Sequence, residues 1–183
     1  MLFGEAGSDL IQGGTGADTL IGGEGTDTAD YSGSLAAVQR VLGGASSGGD
    51  AAGDQLSQFE NLNGSAFDDI LLGDAAVNAL NGGMGNDILV GGAGADVVDC
   101  GTGLDVASYS NATAGLSVHL TNTAAKTGDA RGDAFISIDQ LRGSAFADAL
   151  TADAERRRGH GAAAMHERIQ AQADRQRRQR HLG

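Results

Sequence analysis

Proline and tryptophan are absent from this 183-residue chain, cysteine occurs once, and the aromatics are five Phe and two Tyr. Each shortage excludes something. Glycine is abundant, at 31 residues, but with no proline and no G-X-Y triplet the chain is not collagen. The single Cys100 closes no internal disulfide. So few aromatics leave an ordinary globular core short of large apolar side chains. Nowhere do 18 apolar residues follow one another, so no spanning helix is expected. The opening Met1-Leu2-Phe3-Gly4-Glu5 has neither the basic nor the apolar region of a cleavable secretory signal. Stability has to come from regular stacking or from bound ions.

Basic residues are scarce over most of the length. Residues 1–150 hold 20 acidic and 4 basic side chains, a balance of −16, whereas residues 151–183 hold 4 acidic and 8 basic, a balance of +4, for the total of −12. A body this acidic repels phosphate, so nucleic acid is not an expected partner, and it suits a cation.

What the chain does have is a nine-residue period. Gly4–Gln12, Gly13–Ile21 and Gly22–Asp30 form one contiguous block, reading GEAGSDLIQ, GGTGADTLI and GGEGTDTAD. Gly64–Leu72, Gly73–Asn81, Gly82–Val90, Gly91–Asp99 and Cys100–Ser108 form a second. The sixth position holds Asp9, Asp18, Asp27, Asp69, Asn78, Asp87, Asp96 and Asp105, and the eighth is always apolar: Ile11, Leu20, Ala29, Leu71, Leu80, Leu89, Val98 and Ala107. A longer repeat lies over the short one, with an offset of 78 at its start and 79 later. Asp50-Ala-Ala-Gly-Asp54 matches Asp129-Ala-Arg-Gly-Asp133, and Glu60-Asn-Leu-Asn-Gly-Ser-Ala-Phe67 matches Asp139-Gln-Leu-Arg-Gly-Ser-Ala-Phe146. The expected organisation is a first repeat block at 1–30, spacer strands at 31–63, a second block at 64–108, spacer strands at 109–142, the start of a third block at 143–154 and a basic tail at 155–183. Val38-x-x-Val41-Leu42 and Leu116-x-Val118-x-Leu120 read as spacer strands that continue the stack.

Within one nonapeptide, the Gly-rich first six residues can take the positive-φ turns that a β-carbon resists. The last three form a short strand whose middle side chain points inward, while the seventh and ninth point out. Two nonapeptides make one coil of a flattened helix, and successive coils pair as parallel strands. One aliphatic row per sheet gives a small hydrophobic term, at about 25 cal/mol per Å², against the entropy of ordering glycine turns. Sixth-position side chains stack along the two edges. Asp69, Asp87 and Asp105 share one edge, with Asn78 and Asp96 on the other; in the first block Asp9 and Asp27 lie opposite Asp18. Stacked carboxylates repel unless a cation sits between them. Carboxylate and carbonyl oxygens are hard ligands that select Ca²⁺, and no His or Cys recurs at a spacing that would hold zinc.

The pattern G-G-x-G-x-D-x-U-x, with U aliphatic, resembles that of the repeats-in-toxin (RTX) family, the hemolysin-type calcium-binding repeat, over about residues 1–154. The resemblance implies an all-β parallel β-roll holding several Ca²⁺ ions between loops of successive coils. The implied ligands are the side chains of Asp9, Asp18, Asp27, Asp69, Asn78, Asp87, Asp96 and Asp105 and the loop carbonyls of Gly82, Gly83, Gly85, Gly91, Gly92 and Gly94. The best pairings are Asp69 with Asp87, Asp87 with Asp105 and Asn78 with Asp96, followed by Asp9 with Asp27. Three departures weaken the pattern: Gly64–Leu72 and Gly73–Asn81 lack Gly at their second and fourth positions, Cys100 replaces the first Gly of its repeat, and Asp18 has no partner two repeats away. The resemblance also implies export through a type I secretion channel under an uncleaved C-terminal signal, an extracellular location, and folding when calcium is met outside.

No catalytic constellation is visible. His166-Glu167 fails the H-E-x-x-H zinc-protease motif at Gln170, no G-x-S-x-G elbow occurs, the glycine loops lack a phosphate-binding Lys, and Cys100 and His119 stand without evident partners in the sequence. Glu155–Gly183 carries no nonapeptide. Either Ala162–Arg180 is a basic helix, or the reading frame changes near residue 155, since Arg178-Gln-Arg-His-Leu-Gly183 can conceal Gly-Asn-Asp-Thr-Leu-Gly in a shifted frame. Met1 lies directly before a repeat with no cap over the first coil, as expected of a piece cut from a longer array. The expectation is a calcium-binding module of a secreted protein. Its alternatives are the C-terminal fragment of an extracellular hydrolase or toxin, or a structural adhesin or surface array.

Overall fold

A computed structural model describes residues 1–120 and 126–151. The basic tail, with His166, Glu167 and Gln170, lies outside them.

The described chain is almost entirely short strands and turns. On one face, β2 (Leu10–Ile11), β4 (Thr28–Asp30), β8 (Asn61–Asn63), β10 (Ala79–Asn81), β12 (Val97–Asp99) and β15 (Ala134–Ile136) form a parallel sheet in that spatial order. The other face holds three groups. The first is β1 (Leu2–Gly7), β3 (Thr19–Gly25) and β7 (Gln55–Ser57). The second is β5 (Gln39–Val41), β9 (Ile70–Leu72), β11 (Ile88–Val90), β13 (Val106–Ser108) and β16 (Gln140–Arg142), with the hairpin strand β6 (Ser46–Ser47) antiparallel to β5. A last parallel pair joins β14 (Ser117–His119) to β17 (Ala149–Thr151).

From β8 to β13, consecutive strands alternate between the two sheets. Each strand pairs with the strand two nonapeptides on: Leu80 lies beside Val98, Leu71 beside Leu89 and Leu89 beside Ala107. This is the β-roll of the sequence reading. All eight eighth-position side chains are buried, and Leu62, Val118 and Leu141 continue their rows through the spacers. The ninth position is less outward than expected: Asp30, Val90 and Ser108 are buried. Asp30 is held there by the Gln12 amide and by the Ser32 N–H and hydroxyl. In the first block the division into loop and strand also breaks down, because pairing between β1 and β3 runs on through the loops, with Glu5 beside Gly23 and Gly7 beside Gly25.

The spacers do not simply add coils. After β4 the chain runs ahead to β5, returns through β6 and a 3-10 turn at Gly49–Ala51, and lays β7 against β3 and β8 against β4. Only then does β9 pair with the waiting β5. The second spacer repeats the excursion. β14 runs ahead, a 3-10 turn at Gly128–Ala130 follows, β15 and β16 return to β12 and β13, and β17 pairs with β14. Inward positions in the first excursion also differ from expectation. Val38, Arg40 and Leu42 are buried while Val41 is only half-buried, so the strand alternates from Val38 and places an arginine inside in the place of Val41.

Candidate metal centre

Each edge of the roll carries a ladder in which the backbone N–H of one sixth-position residue donates to the carboxylate of the next coil. Asp69 N–H donates to Asp87 and Asp87 N–H to Asp105, each at 2.8 Å, and Asn78 N–H donates to Asp96 at 3.0 Å. In the first block Asp9 N–H donates to Asp27 at 2.8 Å. The four pairings expected from the spacing are therefore adjacent. The ladder also contains members the nonapeptide register does not show. Asp18 N–H donates to Asp54, Asp27 N–H to Glu60, Asp96 N–H to Asp133 and Asp105 N–H to Asp139. Their signal was the longer repeat, which aligns Asp54 with Asp133 and Glu60 with Asp139.

Between the stacked loops, carbonyls converge from both sides. A β-carbon added at Gly101 would come within 2.0 Å of the Gly83 oxygen, one at Gly103 within 1.6 Å of the Gly85 oxygen, and one at Gly82 within 2.7 Å of the Cys100 oxygen. The gap between the Asp87 and Asp105 loops is thus faced by the Gly83, Gly85 and Cys100 carbonyls. By the same geometry Ser65, Phe67 and Gly82 face the Asp69–Asp87 gap, Asp74, Ala76 and Gly91 the Asn78–Asp96 gap, and Glu5, Gly7 and Gly22 the Asp9–Asp27 gap. Gly92 and Gly94 contribute by their missing β-carbons, which let Asp74 and Ala76 approach. Replacing the first Gly by Cys100 leaves its carbonyl in place. Thr102 N–H bonds Gly83 O at 2.9 Å and Ala93 N–H bonds Asp74 O at 3.2 Å, so these carbonyls already carry one partner and keep a second lone pair.

Carboxylate oxygens divide the loops further. Oδ2 of Asp9, Asp27, Asp87, Asp96 and Asp105 is buried with no hydrogen-bond partner. A buried oxygen of this kind is costly unless something cationic meets it. In the first G-S-A-F loop it is met internally, because the Ser65 N–H donates to Asp69 Oδ2 and its hydroxyl to Oδ1; in the second, the Ser144 hydroxyl donates to Asp148 Oδ1. Asn78 accepts from Asp74 N–H and donates to the Glu60 carbonyl. Asp18 is half-buried, and β-carbons added at Gly14 and Gly16 would meet nothing within 4 Å, so among the described residues no loop is stacked on that side. Asp18 is the poorest fit of the expected ligands.

Burial pushes the Asp87 carboxyl up to about 7, with the charges of Asp69 and Asp105 adding to it and the Asp69 N–H opposing. Burial likewise raises Asp96 to about 6, with Asp133 and Asp74 adding, and raises Asp105 above the usual carboxylate range. Raised in this way, these carboxyls bind protons in competition with a metal ion. Among the described residues no three His, Cys, Asp or Glu side chains converge on one point. A cation between two loops would therefore be held by one or two carboxylates and by carbonyls, an all-oxygen donor set of the kind that fits calcium.

Stacked Gly-Asp loops on a parallel β-roll define a calcium-binding solenoid. The family model of the RTX calcium-binding nonapeptide repeat (four copies) matches residues 1–30, 63–98 and 72–106, and over these stretches the chain carries the RTX calcium-binding nonapeptide repeat. The matched stretches contain all four loop pairs. No curated protein sequence matches the chain. Among the described residues, no helix is long and apolar enough to cross a membrane.

Proposed function

We propose that the chain is a module of a secreted protein that folds on binding calcium outside the cell, with ions between the loop pairs of Asp9 and Asp27, Asp69 and Asp87, Asp87 and Asp105, and Asn78 and Asp96. The observation that carries this reading is the set of buried carboxylate oxygens without hydrogen-bond partners, in loops where carbonyls converge across the gaps. Both carboxylates of the Asp87–Asp105 and Asp9–Asp27 pairs carry such an oxygen. Only one partner does in each of the other two pairs, which should bind more weakly. Cytosolic calcium would leave the acidic body self-repelling and open. Extracellular modules fill at about 10⁻⁴–10⁻³ M, so binding free energy becomes folding free energy only after export through a type I secretion channel. Any catalytic activity of the parent protein is assigned to parts of it other than this module. The adhesin or surface-array reading shares the same sites. Equilibrium dialysis against calcium tests the assignment. Four ions per chain are expected, two of them tighter. Binding that survives substitution of Asp27, Asp87, Asp96 and Asp105 together would refute it.

A further inference from the structure

Each spacer buries a cation of its own. Arg40 on β5 is fully buried, donates from Nη1 to the main-chain carbonyl of Asp54 at 3.2 Å, and leaves Nε and Nη2 without a hydrogen-bond partner. Lys126 is buried in the second spacer, donates from Nζ to the main-chain carbonyl of Asp133, and lies 4.2 Å from the centre of the Phe135 ring. Asp54 and Asp133 are equivalent in the long repeat, yet the two cations are not. The offset of 79 carries Lys126 back to Ser47, whose neighbour Ser46 donates its hydroxyl to the same Asp54 carbonyl, and the offset of 78 carries Arg40 forward to Val118. Two copies of one unit thus bring a positive charge to the same point from different places in the sequence.

The surroundings match as well. Asp54 accepts from Asp18 N–H at 2.8 Å and from the Tyr31 hydroxyl at 3.1 Å, and Asp133 accepts from Asp96 N–H at 3.0 Å and from the Tyr109 hydroxyl. Their oxygens are met by the protein itself, unlike Oδ2 of Asp87 or Asp105. No Gly-loop gap exists here either, since β-carbons at Gly53 and Gly132 would meet the side chains of Ala17 and Ala95 rather than carbonyls.

We infer that Arg40 and Lys126 are resident cations that do in the spacer rungs what calcium does between the Gly loops, so that these rungs clamp the roll in register without metal. The inference goes beyond the calcium reading and is tested where calcium is absent. Amide hydrogen exchange of the full chain in EDTA should show Gln55 and Ala134, which bond to Asp18 O and Asp96 O at 2.7 Å, protected about tenfold or more over Thr102 and Ala93, which span Gly-loop gaps. Arg40→Met and Lys126→Met should each erase that difference in their own spacer, whereas Arg40→Lys and Lys126→Arg should keep most of it. Equal exchange of the two sets in the unaltered protein would overturn the inference. So would protection that persists in the Met variants, or that is lost equally in the charge-preserving ones.

Discussion

Asp87 is the best-placed single residue on which to test the calcium sites. It belongs to two gaps at once, donating its N–H to Asp105 and accepting from Asp69, and its Oδ2 is buried without a partner. Asp18 is half-buried and has an unstacked loop on one side. Asp87→Ala should therefore raise the calcium concentration at the folding midpoint by about tenfold or more, ~1.4 kcal/mol, while Asp18→Ala should shift it far less. Equal shifts in a calcium titration would contradict the pairing. Protonation supplies a second test at this scale. Asp87 and Asp96 sit near 7 and 6, above the unfolded value of about 3.9. The folded, metal-free roll therefore holds more protons than the unfolded chain across that window. Its stability is greatest below about pH 4 and falls as pH rises through 6 to 7. Calcium binding has the opposite dependence, because the ion must displace those protons. The β signal in EDTA should grow on going from pH 8 to pH 5, and the calcium midpoint should move to higher concentration over the same change.

The nonapeptide is the element, and its two halves fail in different ways. In the strand half, Leu89 is fully buried between Leu71 and Ala107, so Leu89→Ala should cost about 2–5 kcal/mol. In the loop half, Gly101 has φ of +83° and lies against the Gly83 carbonyl, whereas Gly14 has φ of +78° in open space. Gly101→Ala should then abolish calcium-induced folding of its coil, and Gly14→Ala should cost only the backbone term of about 1 kcal/mol, as judged from melts of the two calcium-loaded variants. This is also the scale at which the sequence was most legible. Within the two blocks the strict period names the eighth-position inward row and the stacked sixth-position residues, because each copy repeats one local solution. The spacers were legible only as strands. Their excursion depends on contacts 31 to 37 residues apart, as between Val38 and Asp69 or Asp96 and Asp133, which no local period records. Arg40 illustrates the cost: it is an unassigned position in Val38-x-x-Val41-Leu42, yet it is held inside, where the main-chain carbonyl of Asp54 receives it.

For the whole molecule, two kinds of rung follow from these contacts. In the proposed reading, four Gly-loop gaps take a cation from solution and two spacer rungs carry one of their own. Calcium should accordingly fold the chain in blocks flanking the spacers, with residues 64–108 holding three of the four gaps. Leu89 and Leu20 mark the two blocks in the core, both fully buried. The small hydrophobic row of each block cannot order the glycine loops unaided, which is why metal rather than packing is the expected control. Far-UV circular dichroism of the purified chain during a calcium titration, with magnesium as control, addresses this most directly. A cooperative gain of β signal with Ca²⁺ and none with Mg²⁺ is the predicted result. A full β signal already present in EDTA and unchanged by calcium would contradict it.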